Sequence, residues 1–329
     1  MKVAIIGGAG CVGSCTAYRL AQDGFVSEIV LVDPRRTVAE AHALDIDQAM
    51  VHRAKTRVRA GDIQETRNAD AIVIAVGVWG RPNVASRALS LGQNLKLMLE
   101  LVGPLKALSP SALWMIVTTP VDVLVHLVHR LFAIPRHKII GINRNDTARL
   151  RWAVGDILSV PATDVEAYVL GEHGETQVHV MSGIQVQQKK VSLDAQQKGE
   201  VRNRITGFLT HWNTLQSGRT AGWTTAEAIG DIVASMASND GRMWACSTPL
   251  EGEYGLRDVS LGVPMRLGPQ GVKEIVQLEL DPVEREGLDA SARRIDEQIK
   301  QGQALLKESA GALGDLLALI GGGKKSGTS

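Results

Sequence analysis

Six residues near the start of the chain restrict its fold more than any others: Gly8-Ala9-Gly10-Cys11-Val12-Gly13. The G-x-G-x-x-G spacing follows an apolar run, residues 3–6, and opens an amphipathic stretch, residues 14–23. In a strand–turn–helix unit each glycine has a mechanical task. Gly8 is expected to make the tight turn, Gly10 to let a pyrophosphate approach the backbone, and Gly13 to let helix and strand pack closely. A helix that begins here presents unpaired N–H groups and a partial positive charge to phosphates, so Cys11 and Val12 join the glycines as expected cofactor contacts. Asp33 closes the second apolar run, residues 28–32, twenty positions after Gly13. A carboxylate there takes ribose hydroxyls and repels a 2′-phosphate, which favours NAD over NADP. Arg35 and Arg36 beside it leave minor NADP use open.

Apolar runs at 3–6, 28–32, 71–76, 113–118 and 138–142 are rich in Val and Ile on successive positions. Such runs fit parallel strands buried on both faces. Helical patterns at 14–23, 39–50, 89–108 and 121–132 lie between them. The alternation implies an α/β fold, a doubly wound parallel sheet over residues 1–145 with right-handed crossovers. Residues 146–320 read differently: a strand at 165–170, helices at 196–214 and 224–237, strand and turn signals from 244 to 280, and a long helix at 282–306. They are expected to form a second, α+β domain on the carboxyl ends of the first sheet. The glycine- and lysine-rich tail, 321–329, is expected to be disordered.

Composition narrows the partners. A formal net charge of +1 and an aromatic content of 4% supply neither a field nor a stacking surface for nucleic acid, nor a charge for an anionic membrane. No apolar run approaches the ~20 residues of a membrane span, and the first residues enter a strand with no basic leader, which points to the cytoplasm. Three cysteines, Cys11, Cys15 and Cys246, match neither a disulfide framework nor a metal-ligand spacing, so no metal is expected.

Polar residues gather after two of the apolar runs. Gly171-Glu172-His173-Gly174 follows residues 168–170, and Asp146-Thr147-Ala148-Arg149 follows the last run of the first half. An aspartate paired with a histidine fixes the imidazole tautomer and stabilises its cation. An arginine beside them offers a carboxylate two parallel hydrogen bonds. Arg81 and Arg87 sit in a glycine- and proline-containing loop suited to a mobile lid.

On these residues, together with Ala43-Leu44-Asp45, Ala75-Val76-Gly77, Asn94, Pro120-Val121-Asp122, Gly222-Trp223-Thr224 and residues 260–264, the chain resembles the L-lactate/L-malate dehydrogenases over nearly its whole length. The resemblance implies that His173 is the general acid–base and Asp146 its partner, that Arg149 binds the substrate carboxylate, and that Arg87 polarises the carbonyl. It implies further that Gly77, Asn94, Val117 and Thr119 contact the cofactor, that Thr119 and Thr224 line the substrate pocket, and that the protein is a homodimer or homotetramer. Arg81, six residues before Arg87, resembles the arginine that selects a dicarboxylate in the malate enzymes, so the expected substrate pair is (S)-malate and oxaloacetate.

The sequence departs from the family in three places. The lid after Gly77 is one residue longer, so that counting from Gly77 puts Gly80 and not Arg81 in the selecting position; Thr119 stands where the family has asparagine; and residues 141–146 are one residue shorter and include Arg144. All three are expected near the nicotinamide and substrate. They keep lactate or a non-standard 2-oxo acid open as substrate, and with them a non-catalytic NAD-binding regulator. An NAD-dependent glycosidase on a related fold needs a Cys–His metal site in the catalytic half, where Cys246 is the sole cysteine.

Overall fold

The computed structural model describes residues 1–77, 87–218 and 220–321, without the side chains of 87–89, 209, 213 and 309–321. The expected lid, Arg81, the side chain of Arg87 and residues 322–329 lie outside the described residues.

Six strands form the parallel part of the main sheet: β1 (Lys2–Ile6), β2 (Glu28–Val32), β3 (Arg57–Ala60), β4 (Ala71–Ile74), β5 (Leu113–Ile116) and β6 (Ile139–Gly141). Their spatial order is β6-β5-β4-β1-β2-β3. The order reverses between β1 and β4, so the crossovers on either side diverge and leave a crevice beyond the carboxyl ends of these two strands. The strands α1 (Cys11–Ala21), α2 (Arg36–Ala49), α3 (Arg87–Leu108) and α4 (Val121–Phe132) connect are the ones whose Val and Ile runs are legible in the sequence. Ile5, Ile29, Leu31, Ile72, Ile74, Leu113 and Trp114 are buried there as a continuous apolar layer. β3 is the exception. Its sequence, Arg57-Val58-Arg59-Ala60, alternates charge with apolar residues because it lies at the sheet edge, and only Val58 is buried.

The sheet does not stop at residue 145. β10 (Met243–Glu251), β11 (Arg257–Gly268) and β12 (Gly271–Ile275) extend it in antiparallel fashion, with Ser247 of β10 paired to Gly141 of β6. The result is one nine-stranded mixed sheet. A smaller antiparallel sheet holds β7 (Val165–Leu170), β8 (Val178–Val186) and β9 (Lys189–Lys190). It packs with α5 (Arg144–Leu158) and α6 (Ala195–Thr214) around Leu150, Val154, Val169, Met181, Ile184 and Val201. β8 carries His179, Ser182 and Gly183, which interrupt the apolar pattern and conceal the strand.

α7 (Gly222–Ser238) spans the two halves. At its start Gly222 packs on α1 so closely that a Cβ there would lie 2.9 Å from Cys11 Sγ and 3.1 Å from Cys15 Sγ. On the other side, Asn145 Nδ2 of α5 donates to Thr225 Oγ1 at 2.9 Å. The closing helix, α8 (Pro282–Gly321), is longer than its sequence pattern suggests and includes the first residue of the expected disordered tail.

Candidate active site

The glycine turn lies at the crevice, directly after β1. Its left-handed residue is Gly7, with φ +97°, and not Gly8 as the spacing suggests. Gly7 donates its N–H to Val32 O at 2.8 Å and accepts from Gly10 N–H at 3.0 Å, while Gly8 packs on Leu31. A Cβ on Gly13 would lie 2.2 Å from Gly7 O, which is the close helix–strand contact the motif requires. Among the described residues, Gly7 O, at 3.2 Å, is the single atom that a Cβ on Gly10 would meet, and one on Gly77 would meet nothing within 4 Å. Cys11 and Val12 begin α1 half-buried, with no acidic residue in the first turn to compete for an anion. These residues fit a dinucleotide, for which the helix N-terminus would hold the phosphates and Asp33 the ribose. Asp33 is itself ordered by the turn, accepting from Ala9 N–H at 3.0 Å and from Arg35 N–H at 2.9 Å. Arg35 also pairs with it through Nε, and its own side chain is 61% exposed.

Two further residues follow β5 and a third lies on α3. Val117 is half-buried, Thr119 is exposed, and Asn94 is buried on α3 with Nδ2 donating to Thr119 O at 2.8 Å. Asn94, expected as a cofactor contact, thus also holds the 117–119 segment in place.

His173 sits in the turn after β7, its side chain 22% exposed. Its Nδ1 lies 2.6 Å from Asp146 Oδ2 in the first turn of α5. The other Asp146 oxygen accepts from Arg149 Nη1, one turn along the helix, at 2.8 Å. The i, i+3 spacing puts both side chains on one helix face. Arg149 also stacks on the Phe208 ring of α6, 5.1 Å from its centroid, a contact that the sequence separation hides. Burial disfavours the imidazolium, but Asp146 and then Asp122 outweigh it, and the His173 pKa is raised above its ordinary value. Facing this carboxylate, Nδ1 is the donor, and Nε2 lies outside the bond to Asp146.

The turn is secured from behind. Glu172 N–H donates to Ser291 Oγ of α8 at 2.6 Å, and Gln298 Nε2 donates to Glu172 Oε1 at 3.1 Å. Asp122 Oδ2 of α4 accepts the His173 backbone N–H at 2.8 Å. The sequence signals Asp122 through the family-like Pro120-Val121-Asp122 segment and through its place, a carboxylate in the first turn of a mostly apolar helix.

Arg144, expected beside the nicotinamide, turns elsewhere. Its guanidinium pairs with Asp231 of α7 and stacks on Trp244, 4.6 Å from the ring centroid. Both partners come from later elements that local pattern does not reveal. Thr224 is half-buried in the first turn of α7. Among the described residues no cluster of three or more His, Cys, Asp or Glu is arranged to hold a metal ion, and no helix is long and apolar enough to cross a membrane.

A dinucleotide cradle at the switch point, together with a histidine–aspartate pair that has an arginine alongside, is the equipment of a nicotinamide-dependent dehydrogenase. Comparison with known proteins agrees. Residues 1–141 match the lactate/malate dehydrogenase NAD binding domain, and residues 144–306 match the alpha/beta C-terminal domain of the same enzymes. A malate dehydrogenase of Halobacterium salinarum is 32% identical over 300 residues, 90% of this chain and 98% of that protein. L-lactate dehydrogenase 1 of Clostridium acetobutylicum is 27% identical over 91% of this chain and 97% of its own length. The malate dehydrogenase structure from Salinibacter ruber superposes with a TM-score of 0.85 at 27% identity, covering 94% of this chain and 100% of that one. The chain belongs to the lactate/malate dehydrogenase family. It is an NAD-dependent oxidoreductase that interconverts a small 2-hydroxy acid and its 2-oxo acid.

Proposed function

We propose that the protein interconverts (S)-malate and oxaloacetate, with His173 as the acid–base. The observation that carries this reading is the sharing of one carboxylate, Asp146, between His173 Nδ1 at 2.6 Å and Arg149 at 2.8 Å. It couples a proton carrier to a carboxylate receptor. Two of the relatives in the comparison, at 32% and 30% identity, are named malate dehydrogenase, and Arg81 is in the chain to receive a second carboxylate.

In the reducing direction Arg149 receives the substrate carboxylate through its remaining N–H donors. When bound, NADH supplies the hydride that reduces the 2-oxo carbon. His173 Nε2 gives a proton to the oxygen that becomes the hydroxyl, and Asp146 keeps Nδ1 protonated throughout. Arg87, at the start of α3, polarises that carbonyl and stabilises the developing alkoxide. Thr119 and Thr224 line the pocket, and Thr119, Asn94, Val117 and Gly77 border the nicotinamide. Oxidation runs the same steps backwards, with His173 taking the proton.

Residues 1–145 serve as the cofactor unit and 146–320 as the catalytic unit. The family resemblance supports a homodimer or homotetramer. Exposed apolar side chains on α1, α2 and α7, Tyr18, Leu44 and Trp223, are suited to such a contact. Turnover of oxaloacetate by the wild type and its Arg81→Gln variant tests the substrate reading. The variant is expected to lose preference for oxaloacetate over pyruvate, and an unchanged preference contradicts the role given to Arg81.

A further inference from the structure

Asp122 stands out among the groups that hold the His173 turn because of what it costs to keep it charged. It is 2% exposed on α4. One oxygen accepts the His173 N–H at 2.8 Å, and the other, Oδ1, has no hydrogen-bond partner among the described residues. Among the described residues, the groups acting on it are the Ser247 hydroxyl of β10, His173 and the repelling carboxylate of Glu172, with no lysine or arginine among them. Burial raises its pKa to about 6, against which Ser247 and His173 work. Any oxygen acceptor would satisfy the N–H. A buried carboxylate with no lysine or arginine beside it is a costly way to accept one hydrogen bond.

Two carboxylates from different helices flank His173, Asp146 on the ring and Asp122 on the backbone side. Both favour the imidazolium, while burial and the nearby Arg149 oppose it. The hydrogen bond fixes where the ring is, and the charge adds to what holds its proton.

We propose that Asp122 is a positioning residue for proton transfer at His173, fixing the turn through the backbone N–H and supporting the imidazolium through its charge. The proposal rests on His173 being the acid–base. It goes beyond that reading by giving the proton carrier a second anionic support, one that touches neither substrate nor cofactor.

Two substitutions in the full-length protein separate the two effects. Asp122→Asn keeps an oxygen acceptor of the same shape and removes the charge, whereas Asp122→Ala removes both. With Asp122→Asn, the pH midpoint of malate oxidation is expected to fall by about half a unit or more. Hydrogen exchange of amides 171–174, measured without cofactor, is expected to stay as in the wild type. With Asp122→Ala, exchange at those amides is expected to rise about tenfold or more. Its kcat should fall roughly a hundredfold, with the NADH dissociation constant held within about twofold. An unmoved midpoint in Asp122→Asn overturns the proposal. So does a parallel loss of kcat and NADH affinity in both variants, which marks a purely structural residue. If Asp122→Ala does not fold, the Asp122→Asn midpoint decides. His173→Gln separates the underlying reading: wild-type turnover in that variant refutes the acid–base role, whereas an inactive His173→Gln with an unmoved Asp122→Asn midpoint refutes this proposal alone.

Discussion

Asp146 Oδ2 lies 2.6 Å from His173 Nδ1, a contact that joins the first turn of α5 to the turn after β7 across 27 residues of sequence. A neutral imidazole held this way presents Nε2 as its acceptor, and a charged one has its cation compensated. Asp146→Asn keeps the shape but removes the charge and permits the wrong tautomer. Its kcat should drop by about 10²–10⁴-fold in both directions. Binding of NADH, followed by fluorescence, should be unaffected. A loss under tenfold would mean that Asp146 acts through Arg149 and not through His173.

The raised His173 pKa fixes the sign of the pH response. Reduction needs the imidazolium, so kcat/KM for the 2-oxo acid falls as pH rises through that pKa. Oxidation needs the neutral ring and rises through the same point. Both midpoints should lie above the ordinary histidine value of about 6.5. Profiles in the two directions that move together with pH would contradict this assignment.

Asp33 accepts Ala9 N–H and Arg35 N–H, and the Arg35 side chain is tied to the same carboxylate. NADH should therefore be strongly preferred. Asp33→Ser removes the repulsion and releases Arg35 beside Arg36, so the NADH/NADPH ratio of kcat/KM should fall by about tenfold or more. An unchanged ratio would show that neither arginine reaches a 2′-phosphate.

Asp122 has a consequence for stability as well. Its folded pKa of about 6 lies above the ordinary carboxylate value. Folding thus favours the protonated form, and the associated stability is present at low pH and lost as pH rises through about 6. Asp122→Asn carries no such loss. Between pH 4 and pH 7 the stability of this variant relative to the wild type should rise by up to about 3 kcal/mol, measured by denaturant titration. A difference that does not change with pH would place the Asp122 pKa near its unfolded value.

What was legible in the sequence is what local pattern encodes. Buried parallel strands are continuous Val and Ile runs, so β1, β2, β4, β5 and β6 could be read with small errors at their ends, whereas β3, with Arg57 and Arg59 on an edge, could not. The glycine spacing located the nucleotide turn but not its left-handed residue, Gly7, because that depends on how β1 meets Val32. The His173–Asp146–Arg149 cluster was legible through family resemblance. The continuation of the sheet through Ser247 and Gly141, the stacking of Phe208 on Arg149, and the diversion of Arg144 to Asp231 and Trp244 were not. Each is a contact between residues tens of positions apart, and no local periodicity reports it.

The most direct test of the account is NADH oxidation by the purified protein, followed by absorbance, across oxaloacetate, pyruvate, 2-oxoglutarate and bulky 2-oxo acids. Turnover should require the 2-oxo carboxylate, be abolished in His173→Gln, and be fastest with oxaloacetate. Turnover of pyruvate above oxaloacetate would contradict the malate assignment, and absence of turnover with every 2-oxo acid would contradict the catalytic reading of His173, Asp146 and Arg149.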